Sequence, residues 1–524
     1  MAYITPNSRV VLCSGVPFDK DYSITSYFAS AAAQNSAILA KAKYTYYPIS
    51  YQRAGLNAIR VNHKADDLYD VNYIAFQNTT YGSKWFYAFV DSVDYINDSV
   101  SQVNYTLDFL QTFYFDITIP PCFVERCHSA TDDIGQNILP EPVELGEHVS
   151  QGMIKDTHYI SLAIVVLYID VGGDDQQGAS NGSILDGVYT GCTAKAFHLS
   201  SIGSTGGLDE FIESYIQSPD SIVAMYMCPA NLINGGNFSD GYVITSSSGS
   251  GGMTSYFTLA AITATDTLNG YTPKNNKLYT YPYNYLLVNN GNGGSLSLRY
   301  EFFSDLTPKL QINGNISPPV ALKLMPCGYK GTVAQSLDSG RYVNESLEIS
   351  NYPYCSWNAD YFKAWLSQNA VPSLLNLGSG IAVASMKGDV TKAFGIGQAV
   401  NALSNAYSAA IHSDIIKGNV STGNINVAAD LQCYWYSRMS VSADYARVID
   451  DFFTRFGYAQ NKIMNPPTHN RQKFTYVKTN GCKVNGSIPA EAERAIEAAF
   501  DRGITFWNGL TNVGDFSGTN NIIT

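Results

Sequence analysis

Hydrophobic positions in this chain fall mostly into short runs of period two, separated by clusters of Gly, Asn, Ser and Asp. Residues 68–76 (LYDVNYIAF) and 84–90 (KWFYAFV) are aromatic-rich runs bounded by turn residues. From Val103 the apolar side chains take alternate places, at Val103, Tyr105, Leu107 and Phe109. Alternation lines one face of a strand, which predicts a half-buried strand here and an antiparallel sheet over the preceding chain. Pro120 and Pro121 end that block, because neither can donate to a ladder. Residues 159–170 (YISLAIVVLYID) are continuously apolar, as a strand covered on both faces would be. The stretches around it, 172–177 (GGDDQQ) and 246–252 (SSSGSGG), have the composition of surface loops. Period two returns at 281–288 (YPYNYLLV) and 295–302 (SLSLRYEF) across a glycine-rich turn, which predicts a hairpin. Val448, Phe452 and Phe456 then recur at helical spacing, residues 473–477 read as a strand, and Pro489 opens a helix over 490–501 that Gly503 ends.

One segment breaks this pattern. Residues 371–386 (VPSLLNLGSGIAVASM) and 393–411 (AFGIGQAVNALSNAYSAAI) carry no charge, and Lys387, Asp389 and Lys392 cluster between them. The apolar members of the first arm are Leu374, Leu375, Leu377, Ile381, Val383 and Met386, with Gly378 and Gly380 among them. In the second arm Phe394 and Ile396 are followed by Val400, Leu403, Tyr407 and Ile411 on one helical face. Ala402, Ala406 and Ala410 form a stripe of small residues beside it. Each arm is short for a spanning helix, which needs about 20 apolar residues. The residues alone leave two readings open: a buried helical hairpin, or a membrane-seeking hairpin with a polar tip.

Composition narrows the classes. Only 15% of the 524 residues are charged and 45% are hydrophobic, so intrinsic disorder is excluded. A net charge of -12 argues against a protein that grips nucleic acid by neutralising phosphates. The 38 Tyr, alongside abundant Asn, Ser and Gly, favour strands and polar turns over long helices. The 9 Cys are widely and irregularly spaced, which predicts reduced, buried thiols. No charged n-region followed by an apolar stretch opens the sequence, and synthesis in a cytoplasm is expected.

Chemical motifs are weak. Residues 178–182 (GASNG) match the G-x-S-x-G nucleophile elbow, but no apolar strand precedes them to hold Ser180 on a strained turn. Gly395 and Gly397 start a dinucleotide-like run that lacks its third glycine. Cys122, Cys127 and His128 have no second ligand pair at zinc-finger distance. The pairs Asp66–Asp67, Asp174–Asp175 and Asp450–Asp451 are sequence neighbours, which point apart on either a strand or a helix. No enzyme activity, cofactor or metal is expected.

Several stretches are similar to the distal tail tube, or tail knob, proteins of short-tailed phi29-like phages. They are residues 16–22 (VPFDKDY), 78–90 (NTTYGSKWFYAFV), 108–117 (DFLQTFYFDI), 281–283 (YPY), 452–458 (FFTRFGY), 473–482 (KFTYVKTNGC) and 500–507 (FDRGITFW). They keep the family's order and bracket nearly the whole chain, with residues 126–280 matching least. The resemblance implies a mainly β fold, with antiparallel sheet or barrel tube domains, an inserted peripheral domain, a few short helices and a long hydrophobic loop. Residues 1–125, 281–370 and 433–524 would form the tube, 126–280 the peripheral knob and 371–432 the loop.

The function implied is a structural virion protein at the distal tip of the tail, a homo-hexamer joined to upstream tail or collar proteins. Double-stranded DNA would pass its lumen without specific binding. The loop would plug the channel and then enter the host membrane during genome ejection. A different class remains beside it, because Tyr-, Asn-, Ser- and Gly-rich loops in 126–280 also suit a host-surface, carbohydrate-binding adhesin.

Overall fold

A computed structural model describes residues 7–49, 57–78, 82–156, 161–169, 182–198, 201, 205–215, 221–244, 255–290, 293–317, 320–330, 346–350 and 434–523. Its contacts divide the chain into a first unit, Met1–Leu145, Tyr271–Leu278 and Ala443–Thr524, and a second, Gly146–Gly270 and Tyr279–Ser442. Both are built chiefly of antiparallel sheet. The grouping runs along other lines than those drawn on the sequence, since residues 279–442 share a unit with 146–270.

In the first unit, a six-stranded sheet runs in the order Ala42–Ile49, Ser8–Ser14, Val71–Asn78, Trp85–Asn97, Val100–Leu107, Ala58–Val61. Val10 and Leu12 face one core cluster with Ile74, Ala88 and Val103, while Val11 and Cys13 face another with Tyr73, Tyr87 and Phe89. Both sets are essentially inaccessible, so the period-two pattern here serves a sheet covered on both faces. Burying each Val or Leu of this kind contributes about 1.5–3 kcal/mol. The strand expected to reach Phe109 stops at Leu107. Asp108 accepts a hydrogen bond from Gln111 N at 2.9 Å and caps a short helix, Phe109–Phe113. A carboxylate placed to take an orphan N–H ends the strand where hydrophobic alternation alone would extend it.

A five-stranded sheet completes this unit: Ile24–Tyr27, Ile504–Asn508, Phe474–Asn480, Cys122–Cys127, Tyr458–Met464. Only the pair Ile24–Tyr27 with Ile504–Asn508 is parallel. Helix Ala490–Arg502 packs Ala492, Ile496 and Phe500 into the same cluster as Val477 and Phe506, and Gly503 follows it at φ 108°, as the sequence predicts. Helix Ala443–Phe456 departs from the prediction. Its buried stripe is Ala446, Ile449 and Phe453, whereas Val448 is 68% exposed and Phe456 37%. The apolar line read from the sequence is one position out of register with the buried one, and Asp450 is fully buried on the side of that stripe away from the apolar line.

Buried polar groups hold this unit together. Asp450 accepts from Tyr271 OH at 2.7 Å, Lys274 N at 2.6 Å, and Asn275 N and Nδ2 at 3.1 and 2.6 Å. Glu141, whose side chain is fully buried, pairs with both Arg126 and Lys277, and also accepts from Ala459 N at 2.9 Å. Burial lowers the Lys277 pKa, against the opposing pull of Glu141.

In the second unit, Leu162–Tyr168 is buried along nearly its whole length between Thr193–His198 and Ile222–Pro229, as its continuous apolar run predicts. The predicted hairpin forms Asn284–Asn289 and Ser295–Leu298, with Asn290 N donating to Gly294 O at 3.1 Å across the turn. Its second strand ends early, in a 3-10 turn at Tyr300–Phe302. A third sheet runs Ser255–Thr258, Lys309–Gly314, Ala321–Pro326, Leu347–Ser350. One continuous cluster, including Ile164, Phe197, Leu286, Leu310, Leu324 and Tyr436, forms the core of the unit.

Candidate functional site

The low-charge segment leaves the described structure after one strand and returns at another. Leu347–Ser350 is the edge strand beside Ala321–Pro326. Trp435–Val441 lies between His148–Lys155 and Asn284–Asn289, so the chain returns into the middle of a sheet. A buried Tyr needs a partner for its hydroxyl. Tyr434, fully buried, donates its hydroxyl to the Leu347 carbonyl at 3.1 Å, and its own carbonyl accepts from Asp156 N at 2.9 Å. Asn290 Nδ2 donates to the Glu348 carbonyl at 3.1 Å and ties the hairpin turn to the edge strand. The two ends of the segment are therefore held side by side.

Arg438 stiffens the returning strand. Its Nε donates to Asn284 Oδ1 at 3.0 Å, and its two terminal nitrogens donate to the carbonyls of Thr267 and Asp266 at 3.0 and 2.9 Å. Sequence reasoning missed Tyr434, Leu347 and Arg438 as parts of this base. The aromatic run in residues 434–436 (YWY), of high strand propensity, was the available signal for a strand at the point of return.

The residues singled out within the segment, from Leu374 through Ile411 with Lys387, Asp389 and Lys392 between, lie outside the described residues. So do Ser180 of the elbow-like match, the Asp174–Asp175 pair and the Gly395–Gly397 run. Among the described residues no helix is long and apolar enough to cross a membrane. None of their His, Cys, Asp and Glu side chains form a group able to hold a metal ion.

The other candidates have structural work. His128 is buried with both ring nitrogens engaged: Nε2 donates to the Thr454 carbonyl at 3.0 Å, and Nδ1 accepts from Tyr476 N at 2.8 Å. Burial, with Arg471 nearby, pushes its pKa down to about 3. Protonation would place an Nδ1–H against the Tyr476 N–H. The folded pKa is depressed, so the stability His128 contributes is complete above its unfolded value near 6.5 and is lost as pH falls toward 3. The expected result is a fall in unfolding free energy of a few kcal/mol over that window. His128→Gln should flatten this part of the curve, measured by urea titration at successive pH values.

Of the carboxylate pairs, Asp450 is saturated by its hydrogen bonds and Asp451 faces Lys274 at 3.3 Å. Asp66 and Asp67 lie on an exposed 3-10 turn. The described Cys are free thiols, buried except for the half-buried Cys192.

The mainly antiparallel sheets and the long segment of low charge go with family matches over most of the chain, and these matches make it a structural protein of a bacteriophage tail. Residues 6–118 match the Caudoviral major tail protein N-terminus. Residues 253–432 and 416–521 match the C-terminal domain of the Bacillus phage phi29 tail knob protein gp9. The chain belongs to this tail knob family of short-tailed phages. Among its relatives are the tail knob protein gp9 of Bacillus phage PZA, 24% identical, and that of Bacillus phage B103, 23% identical; each comparison covers 100% of both chains. The solved structure of the bacteriophage C1 tail knob protein, gp12, shares the fold with a TM-score of 0.66 at 15% identity, over 98% of this chain and 100% of that one.

Proposed function

We propose that six copies of this chain form a closed ring at the distal end of the tail, attached to upstream tail or collar proteins, and that the genome leaves through its lumen. In this reading residues 371–432 plug the channel at rest and enter the host membrane during ejection. Residues 1–125, 281–370 and 433–524 contribute to the tube and 126–280 stand at its periphery. The observation that carries the reading is the tail knob family match over residues 253–432 and 416–521, which runs across the low-charge segment and the strands at both its ends.

Physical chemistry supports the assignment. One hairpin of such Gly-, Ala- and Ser-rich arms binds lipid weakly, but six held in one ring act together. Small residues let the arms pack closely in lipid, and the charges at Lys387, Asp389 and Lys392 resist spontaneous insertion. With a net charge of -12, walls dominated by acidic and hydroxyl groups would let DNA slide, because such groups do not neutralise phosphate. Class averages from negative-stain images, with native mass spectrometry of the same preparation, test the ring. A six-fold ring with an axial hole is the expected result; monomers overturn it, and a solid trimeric spike favours an adhesin.

A further inference from the structure

A buried polar hub joins the six-stranded sheet of the first unit to the five-stranded one, and one of its members can ionise. Gln111, on the short helix Phe109–Phe113, donates its side-chain amide to Thr25 Oγ1 at 2.8 Å and to the Ser26 carbonyl at 2.9 Å, both on the edge strand Ile24–Tyr27. Gln34, on helix Ala31–Leu39, donates to the Gln111 backbone carbonyl and to its Oε1, each at 2.7 Å. Asp108 ties this hub to the six-stranded sheet. Its N donates to the Tyr87 carbonyl at 2.9 Å, its Oδ2 accepts from Tyr73 OH at 2.8 Å, and its Oδ1 accepts from Gln111 N at 2.9 Å. Asp108, Gln111, Gln34, Thr25, Ser26 and Tyr73 are all buried.

Every hydrogen-bond partner of the Asp108 carboxylate among the described residues is uncharged. Behind Tyr73 stand Tyr87, with Cys13 beside it, and Tyr22, whose hydroxyl accepts from Phe109 N at 3.0 Å. Of the cations on the surrounding elements, Arg502 acts on Tyr22 and Asp21, and Lys84, over the Phe113 ring, pairs with Asp116. A fully buried carboxylate without a counter-charge is costly, because a phenol and a backbone amide replace only part of its hydration. We propose that Asp108 is a proton-controlled latch: as the neutral acid it fastens the hub to the six-stranded sheet, and as the carboxylate it loosens that junction.

The acid keeps both partners. Its Oδ1 still accepts from Gln111 N, and its Oδ2 hydroxyl donates to the Tyr73 oxygen, reversing that bond. Burial pushes the Asp108 carboxyl up to about 7, against the lowering pull of the Gln111 amide and the Tyr73 hydroxyl. The folded value lies above the unfolded one near 3.9, so the stability that protonation contributes is complete below that pH and is lost as pH rises through 7. His128 acts in the opposite sense, so the latch is read locally and as a difference between wild type and variant.

The test is hydrogen-exchange mass spectrometry of the full-length protein from pH 5 to pH 8, read on the peptide that spans residues 108–114. After correction for intrinsic exchange rates, protection in the wild type should fall by up to about tenfold per pH unit and level off above about pH 7. Asp108→Asn stands in for the acid, since its oxygen accepts from Gln111 N and its amide donates to the Tyr73 oxygen. Its protection should not change with pH, matching the wild type at pH 5 and exceeding it at pH 8. Equal slopes in the two proteins overturn the proposal, as does weaker protection in the variant at pH 8. Tyr73→Phe gives a second reading that does not depend on the first variant folding. Losing a donor to the carboxylate should move the fall in protection to higher pH, and an unmoved or lower midpoint overturns the proposal as well.

Discussion

Removing residues 374–411 leaves a folded, assembled protein that no longer releases dye from liposomes. The strands at the two ends of the segment, Leu347–Ser350 and Trp435–Val441, pair with strands outside the deleted span. Tyr434 and Leu347 are already joined, so a shorter connection closes at little entropic cost. In the proposed reading the uncharged arms are the part of the chain that meets lipid. Dye release by the full chain, falling to the protein-free level in the deletion at unchanged assembly mass, is the expected outcome. A deletion that unfolds shows the segment to be an ordinary buried hairpin. One that assembles and still permeabilises puts the membrane activity elsewhere.

Replacing Glu141 by Ala should cost about 3–5 kcal/mol of stability in the first unit. The substitution leaves Lys277, 2% exposed in its side chain, and the largely buried Arg126 without their shared carboxylate. It also strips Ala459 N of its acceptor. Lys277 keeps the Leu139 carbonyl at 2.9 Å and Arg126 the Gly457 carbonyl at 2.7 Å, but a buried cation that loses its counter-charge costs more than the pair itself contributes, so a double variant is the sharper measurement. Glu141→Leu with Lys277→Met should recover the share of the loss that comes from desolvated Lys277, while Arg126 still lacks its carboxylate. Calorimetry of the three proteins reads the difference. Equal loss in the single and double variants would mean that packing around Phe453 and Tyr458, over which Lys277 lies, outweighs the charge.

Much of the β architecture was legible because strands advertise themselves locally. Leu162–Tyr168 stands out as an unbroken apolar run, and the hairpin of Asn284–Asn289 with Ser295–Leu298 as two alternating runs around a glycine-rich turn. What stayed hidden depends on partners far away in sequence. The stripe Val448, Phe452 and Phe456 looks like a buried helix face until Asp450 is seen to be held inside by Tyr271, Lys274 and Asn275. A buried carboxylate of that kind rotates the helix away from its apolar line. The same holds for Glu141, whose cations come from residues 126 and 277. The membership of 279–442 in one unit with 146–270 rests on pairings distant in sequence, His148–Lys155 with Trp435–Val441 and Ser255–Thr258 with Lys309–Gly314, and no local pattern names the partner of either. For the candidate site, composition marked the segment but not the Tyr434 and Leu347 base that closes it.

That base sets a limit on distance. With residues 347 and 434 fastened together, the chain between them can only extend as a doubled strand, and its farthest point is midway. About 80 residues separate the described ends, so each leg has about 40. At roughly 3.3–3.6 Å per residue a fully extended leg reaches no more than about 140 Å, and at about 1.5 Å per residue a helical one reaches about 60 Å. The hydrocarbon layer of a bilayer is about 30 Å thick. Even wholly helical legs would therefore have length to spare for one crossing, and the distance left over bounds how far from the bilayer the two pinned residues can stand while the tip lies on its far side.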